Sequence, residues 1–289
     1  MNARRWMLGG DLSVSRIGYG AMKLTGWPRG ERPSRDTALA VLRRAVELGV
    51  NHIDTSHYYS RDAVAANELI REALHPYPDD LVIVTKVGAL VEGGDVALPA
   101  EQTTGLTPSG LRRGIEANLR SLGVDRLDVV NLRMGDSDRA GTPIGRPLET
   151  LLALRAEGLI RHLGVSNVTA AEFAEARTVA PISCVQNLYN LSRREDDALV
   201  EACAAAGIAY VPFFPVGGFQ PLAAARLDSV AARHGATVPQ VALAWLLARS
   251  PNILPIPGTG SPAHLEENVA AGLLELSEQD LAELGSATP

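Results

Sequence analysis

The chain has 289 residues, 46% of them hydrophobic and 21% charged, with a formal net charge of −6. That is a globular composition, in a chain long enough to bury about three quarters of its unfolded surface. The acidic balance leaves no overall basic field for nucleic acid or an anionic membrane, so an anionic ligand needs a local positive site.

Other function classes are excluded by pattern. No apolar run reaches the ~18 residues of a membrane helix. The amino-terminal Met1-Asn2-Ala3-Arg4-Arg5-Trp6 lacks the apolar centre of a signal peptide. The two cysteines, Cys184 and Cys203, lie in apolar stretches without a CxxC, which reads as free thiols in a reducing compartment, the cytoplasm. The six histidines are scattered and form no metal-ligand spacing.

In chain order, residues 6–14, with Gly9-Gly10-Asp11 inside them, read as a β-hairpin able to close the bottom of a barrel. Strands are expected at 16–19, 51–54, 81–86, 127–132, 161–165, 184–187, 209–213 and 253–256. Helices are expected at 36–48, 63–74, 108–122, 149–157, 170–177, 195–206, 222–234 and 238–248. Ser34 and Gly49 bracket the first long helix, and Thr107-Pro108 and Gly123 bracket the third. Residues 92–105 read as a surface loop.

Apolar strands alternating with helices imply a parallel sheet covered by helices. Eight such units in one domain spanning 1–289 predict a (β/α)8 TIM barrel. A doubly wound sheet is the alternative, weakened because no GxGxxG follows an early strand.

Barrel enzymes place their chemistry at the C-terminal ends of the strands. Asp54, Lys86, Arg133, Ser166-Asn167, Gln186, Phe213 and Gly258 all fall at or just past predicted strand ends. Lys86 is one of only two lysines among 27 basic residues. Lysine is a compact point charge whose pKa moves readily, whereas arginine is planar and always charged. Asp54 with Lys86 is on its own compatible with a structural ion pair, and Tyr59 with a packed aromatic.

The segment His52-Ile53-Asp54-Thr55-Ser56-His57-Tyr58-Tyr59, with a tyrosine five residues after the aspartate, resembles the active-site segment of the aldo-keto reductases. So do Val84-Thr85-Lys86, Gly164-Val165-Ser166-Asn167 and Val185-Gln186-Asn187-Leu188-Tyr189-Asn190, in family order and over nearly the whole chain. The resemblance implies reduction of a carbonyl by hydride from NADPH. Tyr59 would be the general acid, Lys86 would lower its pKa from about 10, and Asp54 would orient Lys86. Tyr58 is the competing tyrosine, and spacing favours Tyr59.

The chain departs from the family pattern after the fourth strand, where Arg133 stands in place of a histidine. A histidine can act neutral, whereas arginine is cationic and suits an anionic substrate oxygen. Asp136 or Asp138 could instead pair with it.

The resemblance also assigns the cofactor end. Ser166, Asn167 and Gln186 match contacts to the nicotinamide carboxamide, and Phe213 matches the aromatic stacked on its ring. Thr259, Ser261 and His264 match ligands of the 2′-phosphate, and Glu267 and Asn268 match adenine contacts. Gly258 and His264 stand where the family often has lysine and arginine. That leaves less fixed positive charge and predicts NADPH with tolerance of NADH. Trp27, His57, Tyr58 and Phe219 are candidate pocket walls.

Residues 127–133, 212–215 and 256–259 resemble a bacterial branch that includes pyridoxal reductases. The expected substrate is therefore a small aromatic aldehyde such as pyridoxal. Alternatives are a reductase tailoring a secondary-metabolite carbonyl or imine, a non-catalytic NADPH-binding regulatory subunit, and a Schiff-base aldolase using Lys86. Intact Asp54, Tyr59 and Lys86 argue against the regulatory subunit. A paired Asp54 and the Gly164–Asn167 segment argue against the aldolase.

Overall fold

Strands that are apolar at every position must be covered on both faces, and this chain supplies a helix after almost every one. The computed structural model describes residues 5–27, 30–88, 105–135, 143–218 and 224–285. An antiparallel hairpin, β1 (Arg5–Leu8) and β2 (Leu12–Ser15), comes first. Then follow β3 (Tyr19–Gly20), a 3₁₀ turn Ala21–Thr25, α1 (Arg35–Glu47) and β4 (His52–Asp54). A short hairpin, β5 (Ser60–Arg61) and β6 (Val64–Ala65), precedes α2 (Ala66–Leu74) and β7 (Val82–Gly88). Next come α3 (Pro108–Leu122), β8 (Leu127–Arg133), α4 (Gly145–Ala156), β9 (Ile160–Ser166), α5 (Ala170–Val179) and β10 (Ile182–Gln186). The chain continues through α6 (Asp197–Ala205), β11 (Ala209–Tyr210), α7 (Ala224–His234), α8 (Val238–Arg249), α9 (Pro262–Ala270) and α10 (Glu278–Gly285).

Seven parallel strands form one sheet in the order β11-β10-β9-β8-β7-β4-β3. Backbone bonds from residues 252–257 close it. Tyr210 N–H donates to the Asn252 carbonyl at 2.8 Å, and Leu254 N–H to the Tyr210 carbonyl at 2.8 Å. On the other side, Gly18 N–H donates to the Pro255 carbonyl at 2.9 Å and Gly20 N–H to the Pro257 carbonyl at 3.2 Å. The predicted strand at 253–256 therefore acts as the eighth stave of a (β/α)8 barrel, although it makes only an isolated bridge to Tyr210.

The hairpin plugs the barrel bottom, as expected. Leu8, Leu12 and Val14 cluster with the inward-facing Val82, Val84, Val129, Cys184, Ala209 and Leu254. At its tip, Gly9 (φ 64°) lies so close to His162 that a Cβ would be 2.5 Å from the ring. Asp11 accepts from Arg161 at 2.7 Å and from His162 at 2.6 Å.

Most predicted boundaries fall within two residues of the observed ones, and four differ usefully. The first strand is Tyr19–Gly20 rather than 16–19. The strand at 209–213 stops at Tyr210, and Phe213 then bridges Leu188. The helix expected from 149 begins at Gly145. The helix expected from 63 begins at Ala66, because residues 60–65 form the β5–β6 hairpin. Its two-residue turn, Asp62 (φ 51°) and Ala63 (φ 60°), has the left-handed pair of a type I′ turn without the usual Asn-Gly signature. Most of the expected loop 92–105 lies outside the described residues. Among the described residues no helix is long and apolar enough to cross a membrane.

Candidate active site

Strand alternation puts Asp54 and Lys86 on the inner face of adjacent strands, at their C-terminal ends. Both are buried, at 3% and 2% exposure. Lys86 Nζ donates to Asp54 Oδ1 at 2.6 Å and to the Thr55 carbonyl at 2.9 Å. The other Asp54 oxygen accepts from Gln186 Nε2 at 2.7 Å. Residues 54, 86 and 186 are thereby joined in one buried array.

Tyr59 stands above it. The Lys86 ammonium lies 4.9 Å from the Tyr59 ring centroid. The loop that carries Tyr59 is held at both ends: Tyr59 N–H donates to the Ser56 carbonyl at 3.0 Å, and Ala66 N–H donates to the Tyr59 carbonyl at 2.9 Å. Trp27 packs on Tyr59 at 5.2 Å and on Tyr58 at 5.8 Å, and Tyr58 meets His57 edge-on at 5.3 Å.

Burial pushes the Tyr59 phenol above its ordinary pKa, the Asp54 carboxylate adds to the rise, and Arg133 opposes it. The expected lowering by Lys86 is not seen. Its ammonium is held by Asp54 and the Thr55 carbonyl, and burial sets the direction of the shift. The consequence is a tyrosine that holds its proton through neutral pH.

Arg133, at the end of β8, is half-buried. Its Nε is buried and has no hydrogen-bond partner among the described residues. Asp136 and Asp138, the alternative partners, lie outside the described residues, as does Phe219. The Trp27 indole Nε1 is a second buried donor without a hydrogen-bond partner among the described residues. The tyrosine pair thus has two uncommitted donors among its neighbours.

At the cofactor end, Ser166 Oγ and Gln186 Oε1 are buried and have no hydrogen-bond partner among the described residues. A primary carboxamide, with two N–H donors and one acceptor, fits that pair. Asn167 takes a left-handed φ of 57°, its Nδ2 donates to the Met134 carbonyl at 2.7 Å, and its N–H donates to the Gln186 carbonyl at 3.0 Å. Phe213 is half-buried and edge-on to Phe214 at 5.4 Å. Thr259 is buried, Ser261 caps α9, His264 is exposed on its first turn, and Asn268 is buried further along. Glu267 is half-buried, its carbonyl accepting from Gln240 Nε2 at 3.1 Å.

Sequence reasoning missed the polar scaffold behind the site. Asn118, fully buried on α3, donates to the Gly114 carbonyl at 2.8 Å and pairs with His57 Nδ1 at 3.2 Å. Its Oδ1 accepts from Thr85 at 2.6 Å and from Asn67 at 3.1 Å. Asn67 Oδ1 in turn accepts from Thr55 at 2.8 Å. A carbonyl can only accept, so the end of Asn118 facing Gly114 must be its NH₂. His57 Nδ1 is therefore an acceptor and Nε2 carries the ring proton. Likewise Asn187 clamps the turn after Ser166 through Val168, accepting at 3.0 Å and donating at 2.7 Å. The available signal was polar residues on otherwise apolar helix faces and strand ends.

The comparisons agree with this geometry. The model of the Aldo/keto reductase family matches residues 16–288. The chain is 54% identical over 281 residues to pyridoxine 4-dehydrogenase of Escherichia coli (strain K12), covering 95% of each. Among solved structures, a thermostable aldo-keto reductase in complex with the inhibitor epalrestat superposes with TM-score 0.83 at 29% identity, covering 98% of both chains. An aldo/keto reductase from Klebsiella pneumoniae in complex with NADP and acetate gives TM-score 0.78 at 28% identity, covering 97% of this chain and 94% of that one. A closed parallel barrel, a buried Asp–Lys–Gln array beneath a tyrosine and a family match over almost the whole length place this chain in the aldo/keto reductase family of oxidoreductases.

Proposed function

We propose that this chain reduces pyridoxal, or a closely similar aromatic aldehyde, with NADPH, and that Tyr59 delivers the proton. The observation that carries the reading is the buried Asp54–Lys86–Gln186 array beneath Tyr59. The E. coli relative's name supports the substrate. The Klebsiella complex, with NADP bound in the same fold, supports the cofactor.

NADPH, when bound, supplies the hydride. Ser166, Asn167 and Gln186 would hold its carboxamide, and Phe213 would flank its ring. Filling that cradle satisfies two buried polar atoms, each of which costs ~1–3 kcal/mol unpaired. Glycine at 258 and histidine at 264 keep NADH within reach.

Tyr59 donates its proton to the carbonyl oxygen as negative charge develops there. Lys86 limits the cost of the phenolate left behind, and Asp54 and Gln186 fix the ammonium. Positioned acids of this kind contribute about 10²–10⁴ in rate. Arg133 presents a cation to an oxygen anion on the substrate ring, such as the readily ionised hydroxyl of pyridoxal. Trp27, Tyr58 and His57 wall the pocket. The buried thiols Cys184 and Cys203 suit a reducing cytoplasmic setting.

The test is NADPH oxidation with pyridoxal and with uncharged benzaldehyde, for the native enzyme and Arg133→His. The reading predicts turnover of pyridoxal, and a loss in kcat/KM for pyridoxal about tenfold larger than for benzaldehyde. Equal losses would remove Arg133 as the anion contact. No turnover of any aldehyde by a protein that binds NADPH would favour a specialised metabolite carbonyl or a regulatory subunit.

A further inference from the structure

The turn that carries Ser166 is held from behind by the side chain of Asn187. Asn167 follows Ser166 with φ 57°, a left-handed conformation uncommon for residues other than glycine. The next residue, Val168, is gripped at both backbone atoms by the Asn187 amide. Its N–H donates to Asn187 Oδ1 at 3.0 Å, and its carbonyl accepts from Asn187 Nδ2 at 2.7 Å. The Asn187 carbonyl accepts from Phe213 N–H at 2.9 Å. Asn187, 6% exposed, therefore sets both the turn after Ser166 and the aromatic at 213.

Asn187 is in turn fixed by Asp196. The other hydrogen of its Nδ2 goes to Asp196 Oδ2 at 2.6 Å, and the same oxygen accepts from the Tyr210 hydroxyl at 2.7 Å. A carboxylate only accepts, so it permits one orientation of the Asn187 amide, the one in which Nδ2 also meets the Val168 carbonyl. Tyr210 is fully buried, pairs with Val185 across β10 and β11, and bonds through its backbone to Asn252 and Leu254. Asp196 thus joins the closing staves of the barrel to the cofactor end. Its place in the chain makes that role telling. Asp196 is the N-cap residue of α6, where an aspartate ordinarily accepts from the first N–H groups of the helix, yet its side chain makes no cap bond. Turning away forgoes about 0.5–2 kcal/mol of helix stability. The neighbouring Asp197 faces other groups, accepting from Tyr189 at 2.6 Å and Arg194 at 3.0 Å.

We propose that Asp196 is a positioning residue for the nicotinamide end of the cofactor. Through Asn187 it holds the Ser166–Val168 turn and Phe213 in the geometry that receives the carboxamide and the ring. It acts through Asn187 and not by contact with the cofactor. This assignment rests on the NADP(H) reading.

The test is calorimetric binding of NADPH and of 2′-phosphoadenosine diphosphoribose, which lacks the nicotinamide. The proteins are native, Asp196→Ala, Asp196→Asn, Tyr210→Phe and the double variant Asp196→Ala with Tyr210→Phe. Asp196→Ala releases the Asn187 amide and should raise the NADPH dissociation constant about tenfold, while the truncated nucleotide stays within about twofold of native. Asp196→Asn can place a carbonyl oxygen where Oδ2 stands and should remain near native. Tyr210→Phe alone leaves the Asn187 contact and should bind both nucleotides as native does. Alanine at 196 also strands the Tyr210 hydroxyl; if that variant fails to fold, the double variant, with no hydroxyl to strand, should give the same split. NADPH binding within about twofold of native by the alanine variants, or equal weakening of both nucleotides, overturns the Asp196 assignment and leaves the cofactor reading standing. If the native protein binds neither nucleotide, the cofactor reading falls and the assignment with it.

Discussion

Replacing Lys86 with Met separates a structural role of the Asp54–Lys86 pair from a catalytic one. The substitution keeps most of the stem and deletes an ammonium that is 2% exposed. Asp54, 3% exposed, would then keep only the Gln186 amide at 2.7 Å. Breaking a buried pair from one side costs ~3–5 kcal/mol, because the remaining charge is uncompensated. At roughly 2–4 °C per kcal/mol, that lowers the melting temperature by roughly 6–20 °C. Asp54→Asn strands Lys86 on the Thr55 carbonyl and should cost a similar amount. The double variant, Asp54→Asn with Lys86→Met, removes both charges and should recover about 2 kcal/mol of the summed loss. Activity should behave differently, with all three variants staying about 10²–10⁴ below native in kcat. The assay is thermal melting and steady-state kinetics on the four proteins. Single variants that melt with native protein, or a double variant that regains activity along with stability, would refute the reasoning.

Two further perturbations follow from the same interior. Burial pushes His52 from 6.5 down to about 4, with Asp54 opposing the shift and Lys86 adding to it. Its folded pKa lies below its unfolded one, so between pH 6.5 and 4 the unfolded chain binds a proton that the folded chain refuses. Stability should therefore fall as pH drops through that window, by about 3 kcal/mol in total from this residue. Urea midpoints of native protein and His52→Phe against pH check it; parallel profiles would contradict it. Asn118→Ala removes the partner of Thr85, Asn67 and His57, and should destabilise by about 3 kcal/mol. It should also lower kcat about tenfold through the Tyr59 loop while NADPH affinity holds, as paired kinetics and binding would show. An unchanged kcat would confine Asn118 to stability.

The sequence reads most clearly where burial repeats. α3, bracketed by Thr107-Pro108 and Gly123, was legible to the residue, and β7, buried at every position, to within two residues at either end. The tyrosine, lysine and aspartate were legible because each ends or follows a strand and their order matches a family. The β5–β6 hairpin was not, because its turn is Asp62-Ala63, with alanine where type I′ turns favour glycine, and tertiary contacts hold it. Arg61 donates to the Gly26 carbonyl at 3.1 Å and the Gly30 carbonyl at 3.0 Å. The Asn67–Asn118–His57 chain was hidden for another reason: it joins α2, α3 and the loop after β4, elements far apart in sequence whose polar residues have meaning only once packed. The direction of the Tyr59 shift was missed because burial, its largest cause, exists only once Trp27 and the loop after β4 have packed around the ring.

The most direct test of the central claim is single-turnover reduction of pyridoxal by preloaded NADPH complexes of native protein and Tyr59→Phe. Phenylalanine keeps the ring beneath Trp27 and removes only the hydroxyl. The account predicts unchanged NADPH binding and a rate of hydride transfer at least about 10² lower, as expected when a positioned acid is lost. A Tyr59→Phe enzyme that binds NADPH and reduces pyridoxal at the native rate would contradict it, and Tyr58 would become the group to examine.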